Sequence, residues 1–160
     1  MAWSMWWREP RRTYRFPGKM EVEKYVYTPG LHGLEAARAL KEEGKFLGTR
    51  CGDTIYYPPT TLCPDYTEGE LAEVKGPWRI TAYTVVRETL EGERLEKPLV
   101  IAHIAPDDAV GGLIHYVDAS PDEVYIGMEV EPVLKPKEER RGNPVLDITH
   151  FKPRRPETEE

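Results

Sequence analysis

The residues best placed for chemistry lie between Gly48 and Tyr66, which reads Gly-Thr-Arg-Cys-Gly-Asp-Thr-Ile-Tyr-Tyr-Pro-Pro-Thr-Thr-Leu-Cys-Pro-Asp-Tyr and holds both cysteines of the chain. Each cysteine opens a short turn-forming unit, Cys51-Gly52-Asp53-Thr54 and Cys63-Pro64-Asp65-Tyr66, and a stiff Tyr-Pro-Pro arm separates the two. This is the layout of a metal clip in which each unit supplies a Cys-x-x-Cys knuckle. A tetrahedral structural zinc takes four donors, normally thiolates or a Cys/His mixture. Here Thr54 and Tyr66 occupy the positions of the second cysteines, so half the ligands are missing. Asp53, Asp65 or His32 would have to substitute, and neither aspartate has the required spacing.

The histidines are His32, His103, His115 and His150. His103 and His115 fall on neighbouring strand candidates and could face each other with Asp118 near, the one pattern that resembles an acid–base site. Alternation along a strand equally throws isolated polar residues onto the solvated face of a small barrel. The sequence has no Gly-x-Ser-x-Gly elbow, phosphate loop, Gly-x-Gly-x-x-Gly or His-x-x-x-His pair. No catalytic residue is assigned, and the chain is read as a non-enzyme.

The elements that must position these residues are short. The stretch 34–43 is strongly helix-forming, puts Leu34, Ala37 and Leu40 on one side and stops at Gly44 in the C′ position. Residues 68–75 read as a linker or short strand. Five strand candidates follow, at 78–87, 98–105, 113–117, 126–134 and 145–151, and five short strands with turn signals between them fit an OB barrel. In the first, Trp78, Ile80, Ala82, Thr84 and Val86 are expected on one face. Ser120-Pro121-Asp122-Glu123 has a cap residue, proline at the first helical position and Glu three residues on, which predicts a single helical turn. The division is an N-terminal aromatic and basic arm (1–30), a helix (31–47), a degenerate ribbon (48–76), a barrel (77–152) and a charged, mobile tail (153–160).

Composition sets the bounds. Hydrophobic residues make up 39% and charged residues 31%, with no apolar run of the ~18 residues that cross a bilayer, so a soluble cytoplasmic protein is expected. The N-terminus lacks the charged-then-apolar layout of a signal peptide. There is no Gln and a single Asn, Asn143, alongside 15 prolines, the profile of a protein from a hot environment. In such cytosols intracellular disulfides are common. The net charge is −6, but five cations against Glu9 give residues 1–20 a charge of +4, leaving −10 on the rest. A body this acidic repels a phosphate backbone, so nucleic acid is not the expected partner.

Three segments carry a family resemblance: Tyr27-Thr28-Pro29-Gly30 running on through Leu40-Lys41-Glu42-Glu43-Gly44-Lys45-Phe46-Leu47-Gly48-Thr49-Arg50-Cys51; the arm Pro58-Pro59-Thr60-Thr61-Leu62-Cys63-Pro64; and Ala82-Tyr83-Thr84-Val85-Val86 with Val124-Tyr125-Ile126-Gly127-Met128-Glu129-Val130. In order and spacing they resemble the small archaeal and bacterial proteins that join a rubredoxin-like zinc ribbon to an OB-fold and accompany enzymes of acyl-CoA metabolism. The resemblance covers roughly residues 25–151. The chain departs from that family in its lost ligands and in Gly76-Pro77-Trp78, where the family opens its first barrel strand with a Gly-x-Gly turn.

The resemblance implies a mainly β protein with an N-terminal helix, a rubredoxin-like ribbon (here degenerate) and a five-stranded OB barrel. It implies an acyl-CoA-binding scaffold subunit that bridges a thiolase and a partner such as hydroxymethylglutaryl-CoA synthase, with coenzyme A or acyl-CoA as ligand and no cofactor required. The alternative is a single-stranded nucleic-acid-binding OB protein. In an intact ribbon the first cysteines of the two knuckles lie close together, so Cys51 and Cys63 have three open states: a disulfide, reduced buried thiols, or residual zinc ligands. Coenzyme A asks for a stacking surface and cations for its phosphates, and the expected surface is Arg50, Tyr56, Tyr57, Trp78, Arg79, Tyr83 and Arg87. The competing reading is that Trp78 and the tyrosines fill the seam between two small domains. Trp3, Trp6 and Trp7, set among arginines, are expected to dock a partner, because Trp, Tyr and Arg anchor interfaces. Packing of these aromatics back onto the domain is the other reading.

Overall fold

The structure, a computed structural model, describes residues 28–154. The expectations for Trp3, Trp6, Trp7 and the end of the tail lie outside the described residues. Helix α1, Gly30–Glu43, starts four residues earlier than propensity suggests. Its first turn contains two glycines, and tertiary contacts hold it: His32 Nδ1 lies 2.9 Å from the Thr60 carbonyl and 3.3 Å from Thr49 Oγ1. The helix stops at Gly44 in a left-handed conformation, φ 71°, where the Gly44 and Lys45 amides donate to the Leu40 and Ala39 carbonyls at 3.1 and 3.3 Å.

Strands β1 (Phe46–Cys51), β2 (Thr54–Tyr57) and β3 (Glu70–Val74) form the ribbon sheet, so residues 68–75 contain a strand rather than a bare linker. β4 (Trp78–Glu88) and β5 (Arg94–Pro106) form a long hairpin, and the two-residue β6 (Val110–Gly111) leaves the barrel to pair in parallel with β2. β7 (Leu113–Val117), β8 (Glu129–Leu134) and β9 (Ile148–Pro153) complete a closed barrel of order β4-β5-β7-β9-β8. The chain is therefore mainly β, a ribbon followed by a five-stranded barrel. β6 fastens one part to the other. At Gly111 (φ +111°) an added Cβ would sit 1.9 Å from the Tyr57 carbonyl oxygen, so only glycine permits this backbone approach.

Three local expectations change. Residues 126–128 form a turn instead of the start of β8, with the Gly127 amide donating to the Ile80 carbonyl and the Ile80 amide to the Met128 carbonyl. Ser120–Glu123 closes as a single hydrogen-bonded turn, Glu123 N to Ser120 O at 2.9 Å, and does not become helical. The residues expected to begin the last strand belong to a short helix, α2 (Pro144–Asp147), for which Asn143 Oδ1 accepts from the Val145 amide at 2.9 Å and Pro144 supplies the fixed φ of the first turn.

Ribbon and barrel share one core. Trp78, only 4% exposed, packs edge-on against Phe46 and Tyr57 of the ribbon (centroids 5.2 and 5.4 Å apart) and against Phe151 of β9 at 6.0 Å. Ile80, Ile104, Val130 and Ile148 line the barrel beside it. One buried carboxylate fastens the turn before β9: Asp147, fully buried, accepts from the Arg141 amide (2.8 Å), the Gly142 amide (2.7 Å) and the Asn143 amide (3.1 Å). Asp147→Asn keeps one acceptor and turns an amide N–H toward donors already there, so it is expected to lose about 2 kcal/mol of stability. Urea unfolding followed by Trp fluorescence measures this.

Candidate interaction surface

Cys51 leaves the end of β1 and Cys63 lies in the following loop, and the two are joined in a disulfide, Cα–Cα 5.8 Å. The donor set does not suit zinc. Both thiolates are consumed by each other, Tyr66 has φ 66° and its ring is 85% exposed, and Thr54 is a ladder partner of Cys51 at the hairpin turn. His32 is occupied with Thr49 and Thr60. Asp65 accepts from its own turn, from the Thr67 hydroxyl at 2.7 Å and the Thr67 amide at 3.1 Å, and these bonds hold its carboxyl below the usual range. Among the described residues no group of three or more His, Cys, Asp or Glu side chains could hold a metal.

The two histidines do not make an acid–base site. The β5–β7 register pairs His103 with Ile114 and Ala102 with His115, which puts the rings on opposite faces of the sheet. His115 points inward and is buried against Phe151; its Nδ1 accepts from the Tyr116 amide (2.9 Å), which leaves Nε2 to donate to the Val145 carbonyl (3.2 Å). It is a fully partnered core histidine. His103 lies on the outer face with its Nδ1 beside the Thr81 hydroxyl at 2.5 Å.

The seven residues proposed for coenzyme A are not on one surface. Tyr57 and Trp78 are core, and burial pushes the Tyr57 phenol far above its ordinary pKa. They fill the seam between ribbon and barrel, as the competing reading had it. Arg79 is already neutralised: its Nε donates to Asp107 at 2.7 Å and its Nη2 to Glu129 at 3.2 Å, and Glu129 also takes Arg154 at 2.8 Å. Arg50 and Tyr56 line an open groove of about 600 Å³ beside the disulfide, whose other charged walls are Asp65, Glu68 and Glu70. A groove with three carboxylates to one guanidinium disfavours phosphates. Tyr83 and Arg87 alone stand exposed on the β4–β5 hairpin, away from the groove.

That hairpin belongs to a surface missed at the level of sequence. A register shift between Ile80 and Ala82 leaves Thr81 unpaired, so the expected single face is split. Trp78 and Ile80 point into the barrel, whereas Ala82, Thr84 and Val86 pair with His103, Ile101 and Leu99 on the outside. The rows continue onto β7, where His103 meets Ile114 and Ile101 meets Tyr116. The result is an outer face on three strands built from Ile101, Leu99, Ile114 and Tyr116 with small neighbours; Ile114 is 65% and Tyr116 49% exposed. An antiparallel sheet facing water normally turns polar residues outward. The β5–β7 ladder ends at Val100–Val117, and beyond it β4 and β5 pair only with each other, to a tip carrying fully exposed Leu90. The available signal was that 98–105 and 113–117 are apolar at nearly every position, which one buried face does not require.

Two family models match the chain: the ChsH2 rubredoxin-like zinc ribbon domain over residues 38–65 and the ChsH2 C-terminal OB-fold domain over residues 72–135. A DUF35 domain-containing scaffold protein of Methanocaldococcus jannaschii is 32% identical over 122 residues, covering 72% of this chain and 86% of the relative. A protein of the same description from Methanothermobacter thermautotrophicus is 29% identical over 137 residues, covering 83% and 96%. Among solved structures, a DUF35-family protein of unknown function from Sulfolobus solfataricus superposes with a TM-score of 0.57 at 26% identity, over 65% of this chain and 78% of that one. The structure named Ltp2-ChsH2(DUF35) aldolase shares the fold, with a TM-score of 0.51 at 23% identity over 74% and 89% of the two chains.

Proposed function

Because the chain belongs to the family of DUF35 domain-containing scaffold proteins, we propose that it is a non-enzymatic scaffold subunit that docks enzymes of acyl-CoA metabolism, a thiolase-type enzyme first and a hydroxymethylglutaryl-CoA synthase-type enzyme as its second partner. The observation that carries this reading is the fusion of ribbon and barrel through one aromatic core, which makes a rigid bridge with large uncommitted surface. The perturbed titratable groups also favour it. Glu43 with Lys45, Arg79 with Asp107, and Asp65 with Thr67 are surface pairs explained by their own hydrogen bonds, and none of these poises an acid or base in an apolar cleft. The acyl-CoA is held where scaffold and enzyme meet, with Tyr83 and Arg87 of the hairpin as the scaffold's own contacts. No helix among the described residues is long and apolar enough to cross a membrane.

Size-exclusion chromatography of the purified protein mixed with the thiolase-type enzyme of the same organism tests the reading. Co-elution is expected, together with tighter acetyl-CoA binding by the complex than by either component. Separate elution would overturn it. Single-stranded oligonucleotides at physiological salt are expected to bind more weakly than about 1 μM, because the barrel and ribbon carry the acidic share of the charge.

A further inference from the structure

We propose that the outer face of β4, β5 and β7, together with the hairpin that extends from it, is the docking surface for the enzyme partner, and that the patch it meets there is apolar and rimmed by cations. This inference rests on the scaffold reading above. Three rows of cross-strand neighbours, Ala82–His103–Ile114, Thr84–Ile101–Tyr116 and Val86–Leu99, present apolar or small side chains on the outer face, with His103, held by the Thr81 hydroxyl, as the polar exception. Leu90 continues the patch to the tip. Isolated surface apolar residues are ordinary, but a contiguous patch of this kind marks an interaction site.

The size and charge of the patch argue against a second copy as its occupant. Three strands about 4.8 Å apart and five residues rising about 3.3 Å each give a flat footprint of roughly 240 Å². Stable interfaces bury about 800 Å² per partner, so sheet-to-sheet stacking of two copies falls well short. The remainder has to come from a partner that also grips the hairpin. A β-ribbon paired only with itself is marginal in water and gains order by packing on another surface. Self-association would also bring together two bodies that each carry −10 outside residues 1–20. Around Leu90 the hairpin carries Glu88, Glu91, Glu93 and Glu96 against Arg87, Arg94 and Lys97, a small acidic excess on an already acidic body that favours a partner surface displaying cations.

The test compares wild type with I114E/Y116E, both at exposed positions, for binding to the purified thiolase-type enzyme by isothermal titration calorimetry. The variant is expected to keep its unfolding midpoint and to raise Kd at least about tenfold, as charges introduced into an interface centre do. I114S/Y116S, which removes apolar surface without adding charge, is expected to shift Kd in the same direction. E138K, on the turn at 137–139, is the control and is expected to leave Kd unchanged. If wild type binds and both face variants bind within threefold of it, the assignment of this face is overturned while the scaffold reading stands. If wild type fails to bind the enzyme, the two fall together. A wild-type dimer that the face variants convert to monomer would assign the face to a second copy and would also overturn the proposal.

Discussion

Trp78→Ala is expected to lose about 3–5 kcal/mol of stability, the range for removing a large buried aromatic. The expectation is specific to where the ring sits. Trp78 touches Phe46 and Tyr57 on the ribbon side and Phe151 on the barrel side, so its removal opens a cavity where the two sheets share a core. Such edge-on pairs add to the area term. Trp78→Phe keeps part of the contact and is expected to lose distinctly less. Both variants are read by denaturant unfolding, followed by circular dichroism because the fluorophore is changed. The result also separates the two sequence readings of this residue: a ring that stacked on a ligand would give a variant with nearly wild-type stability and weakened ligand binding. Unfolding of Trp78→Ala within 1 kcal/mol of wild type would contradict the core assignment.

How much was legible follows from which signals are local. The helix stop at Gly44, the strand at 113–117 and the five-strand count rest on a left-handed C′ glycine, apolar runs and turn residues, and all three appear in the structure. The seven residues expected to form one ligand surface do not do so, because aromatic and basic residues close in sequence need not be close in space or on the same face. Arg79 and Trp78 are neighbours, yet alternation sends one to Asp107 and Glu129 and the other into the core. The unpaired Thr81 then reverses the facing of everything after it, and no property of Thr-Ala-Tyr-Thr announces an extra residue. Whether His103 and His115 face each other is not decided by the sequence for a related reason: the relative register of two strands decides whether their histidines share a face, and register is fixed by partners elsewhere in the barrel. The helix at 144–147 had a visible Asn-Pro start. Apolar Val145 and Leu146 suggest a strand instead, yet both are exposed.

Unreduced, denatured protein is expected to show no free thiols and less than one zinc per chain, and C51A/C63A is expected to be less stable by about 3 kcal/mol. The size follows from chain entropy: a bridge between residues 12 apart in sequence removes loop freedom from the unfolded chain, worth close to 3 kcal/mol for a loop of this length. The missing knuckle cysteines explain why the bridge matters here. With Thr54 in the hairpin ladder and Tyr66 turned outward, the two loops lack the second pair of thiolates that a ribbon's metal would use, and the covalent bond joins them instead. The loss should register in the whole protein and not in the ribbon alone. β2 carries Tyr57 into the barrel core, and β6 pairs with β2, so loosening the loops beside it draws on the same cooperative unit. Thermal unfolding of C51A/C63A is therefore expected to remain a single transition at a lower midpoint, and wild type measured in strong reductant should move in the same direction. One zinc per chain with two titratable thiols would sink this account, and a variant that unfolds in two separate steps would show that ribbon and barrel are less tightly joined than the shared aromatic core implies.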